Sequence, residues 1–173
     1  LGRLRADAIA VVNPSVASLL SNYSIPEDNV HFVGNGVDQR AYAFSRMHDE
    51  DTLVFIGRLR ASKGVDTVLD AFSLVHRQRP QAVLHIVGDG LLRETLKSQA
   101  ERLGVGDRVV FHGFVDEDTK IRLLQRASVY LSASRFEGFG LPVAEAMAVG
   151  TVPVVSDIPA HRYVFQSRSV GFV

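Results

Sequence analysis

From residue 52 onward the chain alternates between short apolar runs and helical patterns, and that alternation restricts it to a parallel sheet dressed by helices. The runs are Thr52 to Ile56, Ala82 to Val87, Arg108 to His112, Ser128 to Ser132 and Val152 to Val155. Between them, Val65, Val68, Leu69, Phe72 and Val75 recur close to a 3.6-residue period. Leu92, Leu96, Ala100 and Leu103 do the same on the next segment, which Gly104 stops. Asp116 caps a third helix carrying Ile121, Leu124 and Ala127, and a fourth runs from Pro142 to Val149, ending at Gly150. Upstream, Ala8 to Val12 and Val30 to Val33 read as strands around a helix opened by Asn13-Pro14-Ser15 and running to about Ser21. Residues 38–50 read as a polar linker, and Val170 to Val173 starts a further strand. The expected fold class is α/β, a doubly wound, Rossmann-like parallel sheet. Ligands of such sheets sit beyond the carboxyl ends of the strands. Gly57-Arg58, Gly88-Asp89-Gly90, Gly113-Phe114-Val115 and Arg135 to Gly140 all fall there, so four βα loops converge on one crevice.

Composition narrows the function classes. A length of 173 residues suits one domain with a real core. The formal net charge is zero, so no broad attraction to nucleic acid or to an anionic membrane is visible. Cysteine is absent, which excludes disulfide and thiol chemistry and fits a reducing compartment. No apolar run approaches the roughly 18 residues of a membrane span, and no signal peptide opens the text. The expected location is cytoplasmic, with association at the cytoplasmic membrane face left open.

The richest stretch is Glu137-Gly138-Phe139-Gly140-Leu141-Pro142-Val143-Ala144-Glu145. It sets two carboxylates eight positions apart, with a glycine turn and a helix start between them. Glycines admit an anion close to backbone N–H groups, and a helix N-terminus adds unpaired N–H groups and partial positive charge. Pro142 suits the first helical position, where no N–H is needed. The segment reads as a diphosphate seat with an acid on each flank, one for a sugar and one for a ribose. Equally, these nine residues fit a loop entering an Ala-rich helix.

Taken in order, the segments resemble the C-terminal, donor-binding domain of retaining glycosyltransferases of the GT-B fold, family GT4. The matching text is Asn35-Gly36-Val37-Asp38, Phe55-Ile56-Gly57-Arg58-Leu59 with Lys63-Gly64, and Val87-Gly88-Asp89-Gly90. It continues through Val110 to Val115, Ser134 to Ala148 with Gly150, and Pro153-Val154-Val155-Ser156-Asp157. Mannosyltransferase-like members are the most similar. The resemblance implies transfer of a hexose, mannose first, from a nucleotide-sugar to a saccharide or lipid-linked acceptor with the anomeric configuration retained. It implies that Arg58 and Lys63 bind the donor diphosphate, that Glu137 holds hydroxyls of the sugar, and that Glu145 holds the ribose. Gly57, Gly88, Gly138, Phe139, Gly140 and Leu141 match backbone contacts of the donor, and Val115 those of its base. No cofactor and no metal are expected. Residues 1–173 would form the donor domain, with the N-terminal acceptor domain (its partner in cis) and the final C-terminal helices absent. The fragment alone would then be inactive, and any peripheral membrane contact would belong to the missing domain.

The chemistry fits these residue types. Breaking a glycosyl–phosphate bond builds negative charge on the diphosphate, which a guanidinium fork and an ammonium stabilise. A cation at a helix N-terminus is unfavourable, so Lys63 wants an anion. Glu137 and Glu145 do not flank one bond, which argues against a glycosidase-like nucleophile and for front-face attack assisted by the leaving phosphate. Asp116-Glu117-Asp118 looks like a metal motif but is expected to be a helix cap, and His48-Asp49-Glu50-Asp51 a charged linker. Gly88-Asp89-Gly90 lacks the third glycine of a dinucleotide fingerprint, because Arg93 stands at that offset. His85 and His112 are expected to be packed in strands. Gly34 replaces the proline usual before Asn-Gly-Val-Asp in the family, which frees that loop. The alternative function is a nucleotide-sugar-binding module without transfer activity.

Overall fold

In the computed structural model, residues 7–20, 25–45 and 47–166 are described. The strand expected at 170–173 and the helix end at Ser21 lie outside them. The first elements are β1 (Ile9–Val11), α1 (Pro14–Leu20) and β2 (Val30–Phe32). β1 and β2 pair in parallel with each other and form a two-stranded sheet of their own. There follow β3 (Asp49–Ile56), α2 (Val65–Gln78), β4 (Val83–Val87), α3 (Arg93–Arg102) and β5 (Val109–Gly113). The described part closes with α4 (Glu117–Arg126), β6 (Ala127–Ser132), α5 (Leu141–Val149), β7 (Val152–Val155) and α6 (Pro159–Gln166).

The main sheet has the order β5-β4-β3-β6-β7, and all its strand pairs are parallel. The chain moves outward one way from β3, returns through α4, and moves outward the other way. Its switch point lies between β3 and β6, where a doubly wound sheet opens its crevice. Alternate residues of β3 serve opposite faces. Leu53 and Phe55 join Leu69, Phe72, Leu84, Ile86 and Leu96 in a core under α2 and α3. Val54 joins Leu124, Tyr130, Val143, Ala146, Val149 and Phe165 in a second core under α4, α5 and α6.

Most boundaries follow the sequence pattern, and the differences have local causes. β3 begins at Asp49, inside the expected linker, because its first residues need only backbone pairing with β6. Ala127, expected on a helix, opens β6 instead, since α4 ends at Arg126.

Candidate functional site

The tips of β3, β4 and β5 are locked by glycines. The Gly57 amide donates to the Val87 carbonyl at 2.9 Å, and the Gly88 amide to the Gly113 carbonyl at 2.8 Å. Gly88 has φ +119, and a Cβ there would lie 2.1 Å from the Gly57 oxygen. Only glycine permits that approach. Beyond Gly57, Leu59 is fully buried and its amide donates to the Asp89 carbonyl. That anchor leaves Arg58 and Arg60 exposed on either side. Arg58 makes no side-chain hydrogen bond or ion pair with the described residues.

Lys63 closes a 3-10 turn, Ala61–Lys63, just before α2, whose cap Gly64 is left-handed. Gly64 packs so tightly that a Cβ would stand 2.1 Å from the Ala133 oxygen. The turn therefore sits against the end of β6, and Lys63 Nζ meets Glu137 Oε1 at 2.5 Å. Both side chains are largely covered, at 14% and 16% exposure. Ser134 Oγ donates to the same carboxylate oxygen at 2.8 Å. The expected cation thus has its anion, and it is the expected sugar acid.

Past Glu137 the loop reaches α5 through Gly140, left-handed at φ +91. Leu141 is the first helical residue and Pro142 the second, one position later than the sequence reading placed it. Among the described residues, the amides of Phe139, Gly140 and Leu141 donate no hydrogen bond. A Cβ on Gly138 would meet nothing within 4 Å, so the loop is open above it. The buried Asn13 donates its Nδ2 to the Gly138 carbonyl, tying this loop to the small sheet.

Glu145, on α5, is buried at 4% exposure. Its Oε1 takes Lys120 Nζ of α4 at 3.0 Å, while its Oε2 is buried and unpartnered. Lys120 also meets Glu117 Oε2 at 3.0 Å and lies 5.3 Å from the ring centre of Tyr42. Tyr42 donates to Glu117 Oε1. Burial pushes the Tyr42 and Tyr130 hydroxyls well above the ordinary tyrosine range; Glu117 adds to it at Tyr42, and at Tyr130 Glu137 and Glu145 both do.

The structure brings Gly57, Lys63 and Glu137 together, with Gly138, Phe139, Gly140 and Leu141 following in the loop, and leaves Arg58 exposed next to Gly57. Gly88 is at the neighbouring strand tip, and Val115 is half-buried against the second core just before α4. Asp116 is a cap: its carboxylate accepts the Thr119 amide at 2.7 Å, which holds it below the usual carboxylate range. His48 Nδ1 bonds the Ala127 carbonyl at 3.0 Å, and Asp51 pairs with Arg79. No cluster of three metal-ligating side chains occurs among the described residues. His85 Nδ1 and His112 Nε2 bond each other at 2.8 Å across β4 and β5.

Sequence reasoning missed Lys120, Tyr42, Ser134, Asn13 and His161. Lys120 left a signal, standing one turn before the fully buried Leu124 on an inward face. A cation there needs a buried anion. Tyr42 and Asn13 left none, because their partners are far away in the chain.

The glycosyl transferases group 1 model matches residues 38–173. The chain belongs to that family. It is 35% identical over 152 residues to an uncharacterised glycosyltransferase of Methanocaldococcus jannaschii, covering 80% of this chain and 39% of that one. It is 36% identical over 146 residues to a phosphatidyl-myo-inositol mannosyltransferase of Mycobacterium tuberculosis, covering 80% and 38%. The chain thus spans about two fifths of these relatives (39% and 38%). Among solved structures, Anabaena HepE in complex with UDP and glucose superposes with TM-score 0.81 at 22% identity, covering 93% of this chain and 47% of HepE. The fold is therefore that of GT-B glycosyltransferases. No helix among the described residues is long and apolar enough to cross a membrane.

Proposed function

We propose that this chain is the donor-binding part of a retaining hexosyltransferase, with mannose as the leading sugar. Transfer would go to a saccharide or lipid-linked acceptor held by a separate N-terminal domain. The observation that carries the reading is the row of amides at Phe139, Gly140 and Leu141, unpartnered among the described residues and flanked in sequence by Glu137 and Glu145. Those amides, the α5 N-terminus, Arg58 and Lys63 supply fixed positive potential for a diphosphate. The idle Glu145 oxygen suits a ribose hydroxyl, and Glu137 suits hydroxyls of the sugar. As the bond from the anomeric carbon to the phosphate oxygen breaks, charge grows on the diphosphate where these donors point. The acceptor hydroxyl attacks from the same face and passes its proton to the leaving phosphate. We read the enzyme as cytoplasmic, with any membrane contact made outside this chain.

The fragment should bind nucleoside diphosphates and nucleotide-sugars without a metal. The test is a calorimetric titration panel of GDP, UDP and ADP with their hexose conjugates, with and without chelator, plus amide shifts near Gly57 and Gly138. No response at millimolar ligand would overturn the reading. Binding lost in chelator and restored by magnesium or manganese would overturn its metal-independent part. Binding without transfer activity in the full-length protein would favour a non-catalytic module.

A further inference from the structure

His161 lies on the inward face of α6 with Ala160, Val164 and Phe165, and is 1% exposed. Its Nδ1 stands 2.8 Å from the Ser156 carbonyl oxygen, just past β7. A carbonyl only accepts, so Nδ1 carries the proton and Nε2 is a bare acceptor. That Nε2 is buried and has no hydrogen-bond partner. The ring packs beneath the glycine loop: a Cβ on Gly140 would lie 3.2 Å from His161 Cδ2 and 3.7 Å from Nε2. A buried polar atom left unpaired asks for an explanation.

The surroundings supply one. Ser156 Oγ donates to the Ser134 carbonyl at 2.5 Å, and Ser134 Oγ donates to Glu137. His161 therefore stands at the foot of a chain of contacts that ends on the sugar acid. The charged groups acting on the ring are Glu137 and Lys63, the ion pair of the site itself. In the turn that the ring packs against, the amides of Phe139, Gly140 and Leu141 have no acceptor among the described residues. An acceptor without a partner thus packs against the turn whose amides also lack partners among the described residues.

We propose that His161 is a positioning residue of the donor seat, its bare Nε2 accepting one loop N–H when a diphosphate draws the loop closed. The inference rests on the donor-site reading above, which itself requires no histidine here. Fixing one amide from below sets the direction in which its neighbours point at the anion. Protonation would put a donor where the loop needs an acceptor, so donor binding should weaken in acid. Burial holds the imidazole below its ordinary range and so keeps it neutral near neutrality.

The test uses two substitutions and a nucleotide-sugar, GDP-mannose or UDP-glucose, whose diphosphate diester takes up no proton in the range examined. Asn at 161 retains a donor for Ser156 but leaves nothing beneath Gly140. Gln at 161 carries an amide to the Nε2 position and does not titrate. Wild-type affinity should hold near pH 7.5 and weaken only below the ordinary histidine range, on the way to about pH 5, because burial lowers the pH at which the ring takes up a proton. His161→Asn should bind about tenfold more weakly near pH 7.5, the size of one lost hydrogen bond. His161→Gln should stay within about threefold of wild type and show a flat pH profile. If both variants bind alike and both keep the acid limb, the role is packing and the inference is wrong. Should the Asn variant fail to fold, the Gln variant's pH profile decides alone. If wild type binds no nucleotide-sugar at any pH, the donor-site reading falls and this inference with it; wild-type binding with an unaltered acid limb in His161→Gln sinks only the inference.

Discussion

Glu137 and Glu145 differ in what already holds them. Glu137 shares one oxygen between Lys63 and Ser134 at the open mouth. Glu145 is buried against Lys120 with its second oxygen idle. In the full-length enzyme, Glu145→Gln should weaken free nucleoside diphosphate and nucleotide-sugar about equally, because ribose contacts change little during reaction. Glu137→Gln should leave free nucleoside diphosphate binding unchanged or tighter and fall mainly on kcat, as for a contact that strengthens in the transition state. Calorimetry and steady-state kinetics read both effects. A tenfold loss of free nucleotide in Glu137→Gln but not in Glu145→Gln would reverse the assignment. Changes under about twofold in both, roughly 0.4 kcal/mol, would make the pair structural.

At the scale of elements, Asp116 tests whether an acidic triplet is a metal motif or a cap. Asp116→Ala should lower the melting temperature, since the Thr119 amide loses its acceptor. Nucleotide affinity should not change, with or without chelator, and an affinity that becomes metal-independent only in the variant would refute the cap. The elements themselves were legible because apolar periodicity records burial directly, as in α2 with Val65, Val68, Leu69 and Phe72 inward. Their partners were less so. Nothing in Ile9–Val11 or Val30–Phe32 says that these strands pair with each other and not with the main sheet. The same holds within the site. Gly88 and Gly140 were readable because tight backbone approach and left-handed φ require glycine. Asn13 was not, because a clasp across 125 positions of chain leaves no local pattern.

The whole molecule should lose stability at both ends of the pH scale. Burial lowers the affinity of His85, His112 and His161 for protons in the folded state. The unfolded chain then binds more protons as pH falls through the ordinary histidine range, so folding weakens there. Hydrogen bonds hold Asp116, Glu117 and Asp157 below the carboxylate range, which adds a loss of the same sign in stronger acid. Tyr42 and Tyr130 resist ionisation when folded, so stability should also fall above about pH 10, where the unfolded tyrosines ionise. Melting temperature against pH should show a plateau from about pH 7 to about pH 9.5; a rise on acidification from neutrality would contradict it. The contact between Lys63 and Glu137 has its own consequence for what this crevice will accept. Lys63 is already neutralised by Glu137, so an arriving anion must win it away from that partner and leave Glu137 with Ser134 alone. Inorganic phosphate or pyrophosphate answers only the cation. A ligand that brings hydroxyls along with its phosphates answers both, so the pair works as a turnstile that discriminates by demanding two kinds of group at once.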